Sequence, residues 1–361
     1  MKINKVETQI IETRFMESFH TTYGKIPSSH PHLIVKITTD KGVAGFGEAS
    51  PLPMFTGETV EIMKVAVDKE LGPAIIGQEI FELDEIHKVM NRVLGKASAA
   101  KSAIDLALWD LKGKSLNIPV YKLLGGTKKK NLELAYVLGD EPIDQMIIKA
   151  EEKRNMGFST FKIKVGTTPE KDISSVKAIR DALGPDVRIR VDANQGFDVK
   201  TALHVINKIA PYSIDYIEPP VREWDIAGLK QVRQGSPIPV MADESLYSPH
   251  QALTLIKEEA VDLFAIKLIK TGGITPALKI VSMADAAGID CVVISPWDSW
   301  LGTYANLHFA TLLTERYAHE LVGPFYLTDD PFGTIPNKVS ISINEGSGFG
   351  IVAPPSITFE T

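Results

Sequence analysis

The sequence predicts an α/β protein: a (β/α)8-type barrel with an N-terminal α+β capping domain that the C-terminal tail completes. Three observations carry this expectation. From about residue 131 onward, eight short β-branched or apolar runs alternate with amphipathic helical patterns, the mark of parallel strands joined by helical crossovers. Charged residues stand at the C-terminal ends of five consecutive runs, one repeat unit apart. The first 125 or so residues follow a different pattern, strands first and then helices.

In the N-terminal region, "MKINKVETQII" and "HLIVKITTDKGVAGFGEA" alternate as strands around a turn at Asp40 to Gly42. Between them "RFMESFHTTYGKIPSSHPH", residues 14 to 32, breaks the strand pattern and is expected to form a lid over the barrel mouth. Its His20, Tyr23, Lys25, His30 and His32 are candidate substrate contacts, of which one or two at most are expected to serve. "PLPMFTGET", residues 51 to 59, is a second candidate substrate loop. Helical periodicity follows in "ETVEIMKVAVDKEL", "ELDEIHKVMNRVL" and "KASAAKSAIDLALWDLKGKSL".

The barrel strands are expected at "LELAYVL", "TFKIKV", "VRIRVD", "IDYIE", "IPVMAD", "VDLFAIK", "DCVVIS" and "HELVG". Eight such units close a barrel; an open doubly wound sheet is the competitor, and no glycine fingerprint for a dinucleotide follows the first strand to favour it. The tail "KVSISINEGSGFGIVAPP" reads as strand-like and is expected to pack back on the N-terminal region. The expected division is residues 1–125 for the cap with its specificity loops, 126–325 for the catalytic barrel and 326–361 for the returning segment.

Composition narrows the function classes. The 361 residues carry 39 Lys and Arg against 45 Asp and Glu, a formal net charge of −6 without long like-charge runs, which argues against nucleic acid or an anionic membrane as partner. The first twenty residues show no continuous apolar stretch and no window has the length of a membrane span. The single cysteine, Cys291, lies in an apolar run, expected to be core, and excludes an internal disulfide. A cytoplasmic protein acting on a small-molecule carboxylate, as a homo-oligomer, is the expectation.

In a barrel of this kind chemistry gathers at the C-terminal ends of the strands. Those ends carry Lys162 and Lys164, Asp192, Glu218, Asp243 and Lys267, with steps of 28, 26, 25 and 24 residues from Lys164 onward. Three carboxylates from adjacent strands repel one another unless a cation sits between them, and all-oxygen ligation suits Mg²⁺, with Mn²⁺ as a substitute, better than zinc. The competing reading makes each a surface charge or helix cap; the regular spacing weighs against it. Lys162 and Lys164 share one strand face, pointing to the barrel interior. Mutual repulsion and partial desolvation would lower a lysine pKa and yield a base, whereas ion pairing with the carboxylates would do the reverse. Lys267 is expected to approach from the opposite side.

The order K-x-K, D-x-N, E-P, A-D-E-S and I-K-x-x-K-x-G-G resembles the enolase superfamily, and the two-lysine arrangement is similar to its muconate-lactonizing-enzyme subgroup. The likeness covers nearly the whole chain, including "GFGEASP" and "AKSAIDLALWDLKGK" ahead of the barrel. It implies that Asp192, Glu218 and Asp243 bind Mg²⁺ and that Lys164 and Lys267 form an opposed acid/base pair. Lysine bases with Mg²⁺ are a known pairing in that superfamily, so this pairing comes with the resemblance. It further implies that Lys162 tunes Lys164 and contacts the substrate carboxylate, and that Asn194 and Glu244 support the ligands from behind. Lys270 is expected to be a loop or helix-start residue.

Within the subgroup the outcomes differ: racemisation or epimerisation, cycloisomerisation to a lactone, and dehydration all share proton abstraction α to a carboxylate. "HELVGPFYLTDD" resembles cycloisomerases, with Glu320 a candidate substrate-binding residue, and lacks the D-x-D pair of Ala-Glu-type dipeptide epimerases. "SPWDSWLGT" places Asp298 between Trp297 and Trp300, where an anion flanked by indoles would suit a cationic nitrogen. The alternative there is tryptophan packing with Asp298 as a helix cap. The leading expectation is a Mg²⁺-dependent racemase or epimerase of an amino-acid-derived or N-substituted acid, then a muconate-type cycloisomerase, then a dehydratase.

Overall fold

The structure, a computed structural model, describes residues 1–16, 20–21, 24–25, 28–127, 132–295, 297–339 and 341–359, and of residues 20, 21, 24 and 25 the backbone alone. It begins with strands β1 (Ile3–Phe15), β2 (His20–Thr21), β3 (Gly24–Lys25), β4 (Ser29–Thr39) and β5 (Ala44–Ala49). β1, β4 and β5 form an antiparallel sheet, with β2 and β3 a small hairpin at its tip. The expected break over residues 14–32 is corrected at its two ends, while most of the expected lid between them lies outside the described residues. Pairing continues to Arg14 opposite Ser29, so His30 and His32 sit inside β4 rather than in a loop. Both are buried on one face, and polar residues in core-facing positions are what hid the strand from a hydrophobicity pattern.

The helices of the cap are α1 (Pro53–Thr56), α2 (Val60–Val65) running into a π-helical turn (Ala66–Leu71), α3 (Gly72–Ile75), α4 (Leu83–Val93), α5 (Ser98–Leu116) and α6 (Val120–Leu123). α4 is amphipathic, burying Leu83, Ile86 and Met90, whereas α5 is buried nearly throughout. The reason is its position between the sheet and the barrel: β5 lies directly on its backbone. A Cβ at Gly45 or Gly47 would overlap main-chain atoms of Ala107, Leu111 or Ala103, so only glycine permits this approach.

The barrel follows as β6 (Ala135–Leu138), α7 (Ile143–Asn155), β7 (Thr160–Lys164), α8 (Pro169–Leu183), β8 (Arg188–Asp192), α9 (Val199–Ile209), β9 (Ile214–Glu218) and α10 (Ile226–Gly235). It continues with β10 (Met241–Ala242), α11 (Pro249–Lys257), β11 (Leu263–Ile266), α12 (Leu268–Thr271), α13 (Ile274–Ala287), β12 (Asp290–Val293) and α14 (Trp300–Ala310). Several helices start at side-chain caps, among them Asp198, Asp225 and Ser248. Parallel pairing runs β6 to β9 and β10 to β12, and single bridges complete the circuit: Ile217 with Val240, Ile294 with Glu320, and Leu134 with His319. The eighth strand position is thus only the stretch at His319 and Glu320.

Among the described residues no eighth crossover helix follows it. A 3₁₀ turn (Gly323–Phe325) leads to β13 (Leu327–Thr328), which pairs with β1 of the cap sheet. The tail then crosses the cap: the Phe349 amide donates to Asp110 on α5, and Ile351 packs with Ile34 and Leu301. Its expected strand character is a second correction. Among its described residues only Gly348 pairs, through one bridge to Pro119, because the glycines at 346, 348 and 350 and two prolines interrupt any ladder. Cys291 is buried and free, as expected. No helix among the described residues is long and apolar enough to cross a membrane.

Replacing Gly47 by alanine should cost about 1–3 kcal/mol, since the clash is with helix backbone that cannot turn aside. Denaturant titration checks this against Gly95→Ala, where nothing lies within 4 Å of the new methyl and little change is expected.

Candidate active site

The C-terminal ends of the barrel strands open into a pocket roofed by the cap. Lys162, Lys164, Asp192, Asn194 and Lys267 line its floor, Glu320 and Tyr326 its side, and Leu52, Met54 and Phe55 its roof. The 51–59 segment is therefore where the sequence placed it, although α1 makes part of it helical. β7 and β11 hold the second and sixth of eight positions around a closed barrel, so Lys164 and Lys267 enter from opposite sides.

Lys162 is fully enclosed. Its Nζ donates to Glu218 Oε2 at 2.6 Å and to Glu320 Oε2 at 3.2 Å, and lies 3.0 Å from Asp192 Oδ2. Burial opposes its charge, but attraction to Asp192, Glu218 and Glu320 outweighs burial and lifts its pKa well above the ordinary lysine value. Repulsion between neighbouring lysines, expected to yield a neutral amine, is overridden at this position. Lys164 donates to Asp192 Oδ2 at 2.7 Å and to Asn194 Oδ1 at 2.9 Å. Lys267 donates to Asp243 Oδ2 at 2.5 Å, and its ammonium stands 4.5 Å from the centre of the Phe55 ring. Burial opposes its charge too, yet Asp243 and Glu244 raise its pKa.

Around these lysines the carboxylates divide. Despite burial, Asp192 is held far below the usual range by Lys162 and Lys164, and Asp243 is held at about 2 by Lys267 and Lys270. Glu218 is pushed the other way, to about 8, by burial and by the charges of Glu320, Asp192 and Asp243, which together outweigh Lys162. Its second oxygen, Oε1, is buried with no hydrogen-bond partner. Glu244 accepts from Asn194 Nδ2 at 3.3 Å, and burial raises its pKa as well.

Among the described residues no three carboxylate, histidine or cysteine side chains are grouped as a ready metal cage, because Asp192, Glu218 and Asp243 are each folded onto a lysine. The donor set nonetheless fits a hard divalent cation. Glu218 presents an unused buried oxygen, its neighbours Asp192 and Asp243 are close enough to raise its pKa, and a cation there would let all three ionise together. Oxygen-only donors favour Mg²⁺ over zinc.

Two residues that sequence reasoning did not single out for the site complete this layer. Arg190, fully buried two residues before Asp192, pairs with Glu320 at 2.9 Å, donates to the Ala318 carbonyl at 2.8 Å, and bonds the Tyr216 hydroxyl. Lys270 lies in the short helix α12, a helix-start position as expected, yet it is fully buried and donates to the Asp243 carboxylate and carbonyl at 2.5 Å each. In sequence, Arg190 is one charge in an alternating strand; its inward position was the available signal.

Asp298 is a third correction. It is absent from the pocket lining and 3% exposed, and its Oδ2 accepts from Ser295 Oγ at 2.5 Å and from Asn306 at 2.9 Å. No indole clamp forms around it. Trp297 does line the pocket, but Trp300 donates to the Thr334 carbonyl and packs against Tyr304, and Ser299 rather than Asp298 caps α14. Burial and the neighbouring Glu48 push the Asp298 carboxyl to about 8, so it is no anion for a substrate at neutral pH. His30 and His32 also fail as contacts. His30 bonds Ser50 Oγ at 2.6 Å, His32 bonds Glu48 at 2.8 Å, and burial keeps both neutral, His32 falling to about 4. Tyr23 and the side chains of His20 and Lys25 lie outside the described residues.

Residues 5–125 match the family model for the mandelate racemase / muconate lactonizing enzyme N-terminal domain, and residues 145–356 match that of the enolase C-terminal domain-like family. The chain belongs to the mandelate racemase / muconate lactonizing enzyme family of the enolase superfamily. Family members similar to it include a hydrophobic dipeptide epimerase of Enterococcus faecalis, 38% identical over 97% of this chain and 99% of the relative. The structure of the dipeptide epimerase from that organism, complexed with Mg and L-Leu-L-Tyr, superposes with a TM-score of 0.93 at 38% identity, over 97% of this chain and 99% of the other. An N-succinyl-L-Arg/Lys racemase of Bacillus cereus is 36% identical over 97% of this chain and 95% of its own length. A chloromuconate cycloisomerase of Cupriavidus necator is 35% identical over 91% and 90%.

For this family member the buried Asp298 gives a stability test. Its pKa rises from 3.8 to about 8 on folding, so between those values the folded chain keeps a proton that the unfolded chain releases. Stability contributed at this position is present at low pH and is lost as pH rises toward about 8. Asp298→Asn should therefore flatten the pH dependence, with its stability relative to the parent growing from pH 5 to pH 8 in urea unfolding.

Proposed function

We propose that this chain is a Mg²⁺-dependent isomerase that removes the proton α to a carboxylate and returns one to the opposite face, racemising or epimerising an amino-acid-derived or N-substituted acid. The observation that carries it is the pair of lysines, Lys164 and Lys267, entering one pocket from opposite sides of the barrel. A planar carbanion-like species held between two amines can be protonated on either face, which is what 1,1-proton transfer requires.

Each residue then has a task. Lys164 and Lys267 exchange the proton, one as base and the other as acid according to the enantiomer. Lys162, held cationic by its three carboxylates, supplies fixed positive charge toward the substrate carboxylate. Asp192, Glu218 and Asp243 would hold the metal, with Asn194, Glu244 and Lys270 fixing their orientation. Mg²⁺, when bound, offsets the second negative charge that develops on the substrate carboxylate as the proton leaves. Phe55 and the cap shield the amines from water, which strengthens these electrostatic effects. Mn²⁺ shares the preference for hard oxygen ligands and is expected to substitute.

Support for an isomerase also comes from the named activities of the relatives, two epimerising or racemising enzymes and one cycloisomerase. Cycloisomerisation is the second reading, favoured by the apolar Val322 beside Glu320 at the pocket side.

With a substrate in D₂O, Lys164→Ala and Lys267→Ala should each lower racemisation about 10²–10⁴-fold. Each should retain α-deuterium exchange for only one enantiomer, and the two variants for opposite ones. Lactone formation or water loss without exchange would count against 1,1-proton transfer. Chelator treatment should abolish turnover, with Mg²⁺ or Mn²⁺ restoring it; full activity of the chelated enzyme would remove the metal from the scheme.

A further inference from the structure

The segment "AKSAIDLALWDLKGK" of α5 takes no part in the proton transfer described for the site. Two of its residues, Asp105 and Trp109, stand one turn apart on the same face of the helix and meet the barrel at a single residue. Asp105 Oδ2 accepts from the Thr275 amide at 3.1 Å, and Trp109 Nε1 donates to the Thr275 hydroxyl at 3.0 Å. Asp105 is fully buried, and its Oδ1 lies 2.7 Å from Nε2 of His87 on α4. The carboxylate is thus held from two sides, with a histidine of the cap behind it and a barrel helix in front.

Thr275 is the second residue of α13, where a helix commonly takes a capping bond from the side chain just ahead of it. That position is Gly273, which has no side chain to offer. Asp105 supplies the acceptor from the cap instead, and sets a negative charge at the positive end of the helix. The glycine is required for the fit, since a Cβ on Gly273 would lie 2.3 Å from Asp105 Oδ2. Gly272 and Gly273 both have positive φ, 86° and 109°, and two permissive residues in a row leave the joint between α12 and α13 free to turn unless a contact fixes it. Asp105 is that contact.

α12 passes the constraint to the active site. Lys267 stands at its start: the Lys267 carbonyl accepts from the Lys270 and Thr271 amides at 2.9 and 3.1 Å, and the Leu268 carbonyl from those of Gly272 and Gly273 at 3.1 and 2.8 Å. One turn of buried helix therefore connects the Lys267 backbone to the Asp105 carboxylate. α5 also fixes what lies over the Lys267 ammonium. Glu58 accepts from the Ala99 and Ala100 amides at the start of α5, at 2.8 and 3.0 Å, and so holds the segment whose Phe55 ring is 4.5 Å from Lys267 Nζ. Lys164 is placed by other means: Asp192 and Asn194 accept from it, and Asp172 of α8 accepts from the Gly166 and Thr167 amides just beyond it. These partners all belong to the barrel.

We infer that Asp105, backed by His87, is a positioning residue for Lys267 and not for Lys164: the cap sets one of the two amines, and the barrel sets the other. This rests on the reading of the site as an isomerase whose two lysines serve opposite faces of the substrate.

The test follows α-proton exchange by NMR in D₂O with saturating MgCl₂ and the full chain. The probes are both enantiomers of N-acetylphenylalanine, and L-Leu-L-Phe with L-Leu-D-Phe. Lys267→Ala identifies the stereoisomer that presents its proton to Lys267. In Asp105→Ala, exchange of that stereoisomer should fall about 10- to 100-fold relative to the other. Asp105→Asn should restore the parent ratio, because its amide can still accept from Thr275 and donate to His87. A general loss of packing or of Mg²⁺ affinity lowers both faces together, so the ratio separates positioning from a merely structural role. Equal losses on the two faces, or a parent-like ratio in Asp105→Ala, overturn the inference. Should that variant fail to fold, His87→Ala decides, by moving the ratio in the same direction or leaving it unchanged. Absence of exchange with every probe counts against the isomerase reading and leaves Asp105 to a second measurement, acetylation of the lysines by N-hydroxysuccinimidyl acetate mapped by peptide mass spectrometry. Lys164 and Lys267 line the same pocket, so the reagent reaches both by one route. Asp105→Ala should speed labelling of Lys267 and leave that of Lys164 as in the parent; an unchanged Lys267, or an equal change at both, overturns the inference.

Discussion

The ammonium of Lys162 is the interaction on which the site depends. It sits among Asp192, Glu218 and Glu320, all buried, at distances of 2.6 to 3.2 Å. Without it those carboxylates, contributed by β8, β9 and the eighth strand position, would face one another at low dielectric, and their repulsion would be resolved by protonation or by local opening. Glu218, which the lysine does not fully compensate, already shows that tendency in its raised pKa. One cation thus ties strands on both sides of β7 to a common centre, and leaves a graded set of acids: Asp192 strongly anionic, Glu218 reluctant.

Arg190 extends this arrangement one layer deeper. It draws Glu320 into the barrel and links it to Tyr216 and the Ala318 carbonyl. Lys162 and Arg190 stand against Asp192, Glu218 and Glu320, so these buried charges find partners, the condition under which ions survive in a protein core. The charges of the barrel are thus largely spent on one another, and the pocket wall of Leu52, Met54, Phe55, Ile294, Trp297 and Val322 is left apolar.

The cap is joined to the barrel by a comparable device. Glu48 of β5 accepts from the Ser299 and Gly302 amides at 2.8 Å each, placing a carboxylate at the N-terminus of α14, where the helix dipole favours it. Ser50, two residues on, donates to the Trp297 carbonyl at 3.2 Å. The "GFGEASP" segment therefore does two things: its glycines admit α5, and its polar residues grip the loop that carries Trp297 and Asp298. In the sequence it was legible only as part of a family likeness, because its partners lie some 250 residues away.

The barrel strands and the positions of Lys162, Lys164, Asp192, Glu218, Asp243 and Lys267 could be read from the chain because both signals are periodic. Alternation marks a strand, and one βα unit of about 25 residues returns the chain to the same rim. Strand character in residues 29–32 could not be read, since His30 and His32 turn polar groups inward to meet Ser50 and Glu48. The direction of Asp298 could not be read either. A carboxylate between two tryptophans in sequence has several rotamers and neighbours open to it, and only Ser295, Asn306 and Glu48, brought together by folding, select the buried one. Local pattern determined which residues reach the barrel rim. Tertiary structure decided which of those charges remain available to a substrate, because pairing and burial depend on contacts that no local period encodes.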